Sequence, residues 1–153
     1  RPPRSTLFPY TTLFRSLKVI LGTNFGLYLK SHNYHWNIEG SNFPQYHSFL
    51  DSLYNSIWSQ SDDIAEHIRR LNAYAPGSFT RFIELSAVEE ATSVPDARTM
   101  LSYLYDDNEK YILQLRAGIV LADEANEPAV SNFLQDLLGA HQKHSWMLRS
   151  ILK

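Results

Sequence analysis

Between Pro44 and Leu71 the sequence carries two helical stripes that point in different directions, which leaves a chain like this few ways to fold. Leu50, Leu53, Ile57, Ile64, Ile68 and Leu71 recur at steps of three, four or seven. That is an apolar face suited to the inside of a helical bundle. His47, Asp51, Asp62 and Glu66 make the second stripe. At about 100° per residue they fall within an arc of roughly 100°, whose middle lies roughly 140° from the middle of the apolar stripe. The polar stripe therefore points out of the bundle that this helix helps to build.

The flanking sequence supplies the other helices. From Leu17 to about Asn37 a mostly apolar face runs through Leu17, Ile20, Leu21, Asn24, Leu27, Tyr28 and Ser31. Gly40 is a plausible stop, Ser41 or Asn42 a cap for the next helix, and Pro44 fits its first turn. Pro76-Gly77 breaks the chain after Asn72, and Phe79 to Leu85 is a short helix. Pro95-Asp96 opens a third long helix with Met100, Leu101, Leu104, Tyr105, Tyr111, Ile112, Leu115 and Ile119 inward. Asp123 to Glu127 reads as an acidic turn. Pro128 starts a fourth long helix with Val130, Phe133, Leu134, Leu137, Leu138, His141, Met147 and Leu148 in the core. The reading is all-α: a four-helix bundle with a short extra helix in the crossover between the second and third helices.

A chain of 153 residues is one domain by length. The absence of cysteine excludes disulfides, zinc–thiolate sites and thiol catalysis. No apolar run approaches the roughly 20 residues that span a bilayer. Residues 1–16 stand apart, because Thr6 to Ser16, TLFPYTTLFRS, resembles an in-frame translation of a sequencing-adapter oligonucleotide. They are expected to be a non-native, disordered leader, and the domain proper spans 17–153. Leu7, Phe8, Leu13 and Phe14 would perturb an assembly if they packed on it. Without Arg1, Arg4 and Arg15, 11 basic residues face 16 acidic ones, a net charge of −5.

His47 and Asp51 are four apart on one face, as are Asp62 and Glu66, so each pair can give two ligands to one metal ion. The pair midpoints are separated by roughly 22 Å of helix, too far to share an ion. One helix thus offers two half-sites. A second copy, antiparallel about a two-fold axis at the level of Ile57 and Trp58, would bring His47 and Asp51 of one subunit to Asp62 and Glu66 of the other. Carboxylates with a minority of imidazoles and no sulfur suit Fe(II), with Mn(II) and Zn(II) as competitors. A solvated polar face accounts equally well for the spacing.

The run His35-Trp36-Asn37-Ile38-Glu39-Gly40, followed by Phe43, His47, Asp51, Asp62, Ala65 and Glu66, resembles the Dps family of miniferritins, the DNA-binding proteins from starved cells. The similarity extends from about Leu17 to Lys153 and includes Val94-Pro95-Asp96-Ala97 and His144-Ser145-Trp146-Met147-Leu148-Arg149. The steps of twelve, four, eleven and four from His35 through His47, Asp51 and Asp62 to Glu66 match that family's ferroxidase ligands. The resemblance implies a ferritin-like bundle and a di-iron ferroxidase site between two-fold partners. His35, His47 and Asp51 of one subunit would face Asp62 and Glu66 of the other, with Glu66 able to bridge two ions. It also implies a hollow dodecamer that oxidises Fe(II), preferably with hydrogen peroxide rather than oxygen, stores ferric mineral and protects the cell against oxidative stress. The family works in the cytoplasm, with some members on the nucleoid. Trp36 would either quench stray oxidising equivalents or simply pack, and Trp58 would pack at the interface. Asp123, Glu124 and Glu127 resemble the acidic region lining iron-admitting pores at three-fold axes. His32, His67, His141 and His144 are assigned structural or solvated roles.

Other readings are weaker. DNA-binding members of the family often use a Lys/Arg-rich tail, whereas this chain has an acidic body and ends at Lys153 without a basic extension. An internal di-iron centre of the ferritin or bacterioferritin type needs Glu-x-x-His motifs, and none occurs. A shell without catalysis would leave the match at all five ligand positions unexplained.

Overall fold

The computed structural model describes the backbone of residues 4–153 and side chains from residue 9 onward. Five helices follow in order: α1 (Arg4–Asn37), α2 (Phe43–Arg70), α3 (Phe79–Leu85), α4 (Ala97–Glu124) and α5 (Pro128–Leu152). α1 packs along α2 and α4, α4 packs along α5, and α2 closes the bundle against α5. Leu50, Leu53, Ile57, Ile64 and Ile68 of α2 are buried with Leu17, Ile20 and Leu27 of α1, Leu104 and Leu115 of α4, and Leu134 and Leu137 of α5. None of the helices among the described residues is long and apolar enough to cross a membrane.

Local chemistry sets the helix ends. Gly40 adopts φ +125°, a conformation open to glycine, and the chain turns there from α1 into α2. Asn42 occupies the cap position of α2, but its side chain makes no capping bond, so Pro44 in the first turn is the device that starts this helix. Asp96 caps α4 by accepting from the Thr99 amide at 2.8 Å, which holds its carboxyl below the usual range.

Three expectations need correction. The leader is not disordered over its described part, because α1 begins at Arg4. Leu13 is fully buried with Leu17 and Ile20, and Tyr10 donates to Glu127 Oε1 at 2.9 Å. The physical reason is spacing: Leu13, Leu17 and Ile20 continue one helical face across the supposed boundary. Phe14 is half-buried, and the side chains of Leu7 and Phe8 lie outside the described residues. The acidic turn is shorter than expected, since Asp123 and Glu124 are the last residues of α4 and the reversal falls on Asn126 at φ +55°. Met147 is exposed, and the adjacent inward position is taken by Leu148.

The crossover is strapped along α1. A Cβ on Gly22 would come within 2.7 Å of Leu85 Cβ, and one on Gly26 within 2.8 Å of Ser86 Oγ, so both glycines are needed for the close approach. Thr23 Oγ1 accepts from the Ala87 amide at 3.1 Å, Lys30 Nζ donates to the Glu89 carbonyl at 3.1 Å, and Asn33 Nδ2 donates to that of Ala91 at 3.3 Å. Lys30 also forms an ion pair with Asp107 of α4 at 2.7 Å, both side chains being only 8% exposed.

Polar groups cross the bundle in two networks. Asn24 donates to the Ile57 carbonyl and to Ser61 Oγ, and accepts from the Tyr111 hydroxyl. Asn108 donates to the His141 carbonyl and Ser145 Oγ, while its own Oδ1 accepts from His141 Nδ1 at 2.7 Å. His141 is therefore a core residue. Burial, and then His144, hold its pKa well below 6.5. Burial and Lys143 push His144 down to about 4. Both shifts are downward, so between pH 6.5 and about 4 the unfolded chain binds protons that the folded chain refuses. Stability is expected to fall as pH falls through that window and to return as pH rises. Urea-unfolding midpoints would show this, and His144→Gln should flatten the slope.

Candidate metal centre

His35 lies in the last turn of α1 and His47 in the second turn of α2, and the turn at Gly40 folds one against the other. Their rings stack at 3.8 Å with an interplanar angle of 17°. Each ring donates to the other residue's backbone: His35 Nδ1 to the His47 carbonyl at 2.9 Å, and His47 Nδ1 to the His35 carbonyl at 2.8 Å. A carbonyl can only accept, so both Nδ1 atoms carry hydrogen, and in the neutral imidazoles both Nε2 atoms keep a lone pair. The clasp also satisfies the His35 carbonyl, one of those left without an intrahelical partner at the end of α1. An Nδ1–H held by a carbonyl, with Nε2 free, is the outer-shell arrangement that orients histidine ligands to metals.

Asp51 stands one turn beyond His47 on the same exposed face of α2. Asp62 and Glu66 are exposed farther along the helix, with their midpoint roughly 22 Å from that of the first pair. The ion pairs among the described residues leave the carboxylates of Asp51, Asp62 and Glu66 unengaged. The structure thus brings His35 and His47 together, while Asp51 follows one turn after His47 and Asp62 and Glu66 stay farther along α2. Among the described residues, no three His, Asp or Glu side chains gather closely enough to hold an ion within one chain.

Sequence reasoning missed the rings packed behind the clasp. His32 is stacked on Tyr54 at 3.7 Å and 8° and lies 4.0 Å from the Trp36 ring, with its Nδ1 2.9 Å from the Tyr28 hydroxyl. Burial and His35 lower its pKa, and Asp51 opposes them. The available signal was spacing, since Tyr28, His32 and His35 recur at steps of four and three along α1. His67 stacks on Phe133 at 4.2 Å, and His144 Nε2 lies 3.3 Å from Ser56 Oγ. The first is a packing contact and the second a hydrogen bond.

The description of a ferritin-like domain matches residues 16–153. General stress protein 20U of Bacillus subtilis (strain 168) is 32% identical over 126 residues, 82% of this chain and 87% of that protein. The DNA protection during starvation protein of Brevibacillus brevis is 30% identical over 127 residues, 83% of this chain and 85% of its own. The crystal structure of the Dps protein from Vibrio cholerae O1, a member of a broad superfamily of ferritin-like diiron-carboxylate proteins, matches with a TM-score of 0.91 at 27% identity, over 95% of this chain and 92% of that one. The chain belongs to the Dps family of miniferritins.

The bundle is accordingly the ferritin-like four-helix bundle, with α3 as the short helix of the crossover. In this Dps chain the bundle interior holds two hydrogen-bonded pairs, Asn24 with Tyr111 and Asn108 with His141, while the candidate carboxylates Asp51, Asp62 and Glu66 are exposed outside it and His35 is buried at the end of α1. The acidic residues near the α4–α5 reversal are differently placed: Asp123 and Glu124 are exposed, while Glu127 is half-buried and tied to Tyr10.

Proposed function

We propose that two copies of this chain oxidise Fe(II) at sites shared across a two-fold axis, and that the ferric product is stored inside a dodecameric cytoplasmic shell. The observation that carries this reading is the split itself. Two histidines are clasped with both Nε2 atoms free, and unengaged carboxylates stand on the same outward face at the other end of α2. An antiparallel partner supplies each half with what it lacks.

The exposed apolar surface supports the same axis. Trp58 is 51% exposed at the inferred dyad. Phe25 bridges it to the crossover, stacking on Phe82 at 4.7 Å and lying 6.4 Å from Trp58. Beyond it runs a groove of about 610 Å³ lined by Phe25, Leu29, Trp36, Phe79, Phe82 and Ile83. Apolar surface of this extent is what a protein partner covers.

In the shared site Fe(II) is the substrate. His35 and His47 would offer Nε2 lone pairs, and Asp51, Asp62 and the partner-facing Glu66 would offer carboxylate oxygens, with Glu66 long enough to bridge two ions. The carboxylates neutralise charge as Fe(II) becomes Fe(III), which favours the oxidised state. Hydrogen peroxide is the preferred oxidant, since two ferrous ions supply both electrons needed to take it to water; oxygen is the slower alternative. DNA compaction is less well supported, because residues 17–153 carry a net charge of −5 and would be repelled by phosphate.

Optical measurement of Fe(II) oxidation tests the assignment. Asp62→Ala/Glu66→Ala is expected to lower the rate by about 10–100-fold or more, toward that of protein-free buffer. Equal rates in variant and wild type would overturn it. Light scattering on the wild type should show an assembly, since a lone subunit cannot complete the site.

A further inference from the structure

The rings behind the histidine clasp form a continuous path. His35 lies 5.1 Å from Tyr54 between ring centroids, Tyr54 lies 6.2 Å from Tyr28, and Tyr28 lies 4.8 Å from Trp58. His32 sits among them, stacked on Tyr54 and 5.6 Å from Tyr28. Electrons move readily between aromatic rings this close, but a phenol gives one up easily only where a base stands ready for its proton. Tyr28 alone among these rings meets that condition. Its hydroxyl is 2.9 Å from His32 Nδ1. Tyr54 has no hydrogen-bonded base among the described residues, and the Trp36 indole is 59% exposed.

We infer that Tyr28, with His32 as its proton acceptor, is a reversible one-electron store for the iron site. The inference rests on the ferroxidase reading and addresses the moment when only one ferrous ion is bound. A single Fe(II) gives one electron to hydrogen peroxide, the O–O bond breaks, and Fe(III), hydroxide and a hydroxyl-radical-level oxidant result. One electron from Tyr28, passing through the Tyr54 and His35 rings, reduces that oxidant with a solvent proton to water. The phenolic proton of Tyr28 moves to His32 Nδ1, leaving a neutral tyrosyl radical beside an imidazolium. A second Fe(II) later returns one electron to the tyrosyl oxygen, and His32 returns the proton. The hydroxide takes up a further solvent proton. In sum, two Fe(II), one hydrogen peroxide and two protons give two Fe(III) and two waters, and Tyr28 is restored. For this the His32 ring carries its resting hydrogen on Nε2, so that Nδ1 accepts from the phenol.

The test freezes the intact assembly shortly after hydrogen peroxide meets less than one Fe(II) per site, and reads the organic-radical EPR signal. Wild type is expected to give a tyrosyl signal that narrows when ring-deuterated tyrosine is incorporated and vanishes when excess Fe(II) follows. Tyr28→Phe keeps the ring and drops only the hydroxyl. It is expected to lose that signal and to release spin-trappable hydroxyl radical, while Tyr54→Phe keeps a tyrosyl signal. His32→Gln, which can still accept a hydrogen bond but cannot take up the proton, is expected to lower the yield. A signal undiminished in Tyr28→Phe or in His32→Gln overturns the inference. A wild type that consumes Fe(II) without any tyrosyl signal overturns it and leaves the ferroxidase reading intact, whereas a wild type that oxidises no Fe(II) removes both.

Discussion

Co-expression of a His47→Ala/Asp51→Ala chain with an Asp62→Ala/Glu66→Ala chain is expected to restore Fe(II) oxidation that neither variant shows alone. In a homodimer of either variant both two-fold sites lack two of their five ligands. In a mixed dimer one site inherits every substitution. The other receives His47 and Asp51 from one chain and Asp62 and Glu66 from its partner, all intact. Random pairing makes half of the dimers mixed, each with one working site, so about a quarter of the wild-type rate should return. An intrachain site would restore nothing, because every chain in the mixture lacks two ligands. The measurement is the initial rate of Fe(II) loss on tagged, co-purified assemblies, and a mixed assembly no faster than its parents would sink the shared-site reading. The two positions of each pair sit on the exposed face of α2, so the substitutions leave the core stripe untouched.

The largest effect on stability is expected at the Lys30–Asp107 pair. Both side chains are 8% exposed, and Lys30 also donates to the Glu89 carbonyl and lies 5.6 Å from the Tyr103 ring. It therefore ties α1, the crossover and α4 together. Lys30→Met leaves the Asp107 carboxylate buried without its cation, and breaking a buried pair from one side costs about 3–5 kcal/mol. Lys30→Met/Asp107→Leu removes the stranded charge as well and should recover most of that loss. Urea unfolding at one fixed protein concentration measures both, since assembly makes stability depend on concentration. A single variant within about 1 kcal/mol of wild type would mean that water reaches the pair and that it behaves as a surface ion pair. A double variant no better than the single would mean that the Glu89 contact, and not the charge, carries the effect.

Much of the bundle was legible because helical periodicity is a local property. The buried stripe of α2, the short helix Phe79–Leu85 and the starts of α4 and α5 at Asp96 and Pro128 follow from residue spacing and from proline and capping chemistry. The same periodicity was cut too early at residue 17, where the character of the leader outweighed the continuing face of Leu13. Polar core residues were harder to see. Asp107 and Asn108 occupy positions that look solvated in sequence, and they are buried because Lys30, His141 and Ser145 meet them from other helices.

For the candidate site, the sequence by itself determined which residue types share a face of α2 and that this face points away from the core, because the rise and rotation of a helix convert spacing into direction. Only the tertiary structure decided that His35 and His47, on different helices, grip each other's carbonyls and so leave Nε2 free on both rings. It likewise decided that His32 and Tyr28 stand behind them, hydrogen-bonded to each other. Those contacts depend on how the turn at Gly40 lays α2 back against α1, and no periodicity within one helix encodes the angle at which two helices meet.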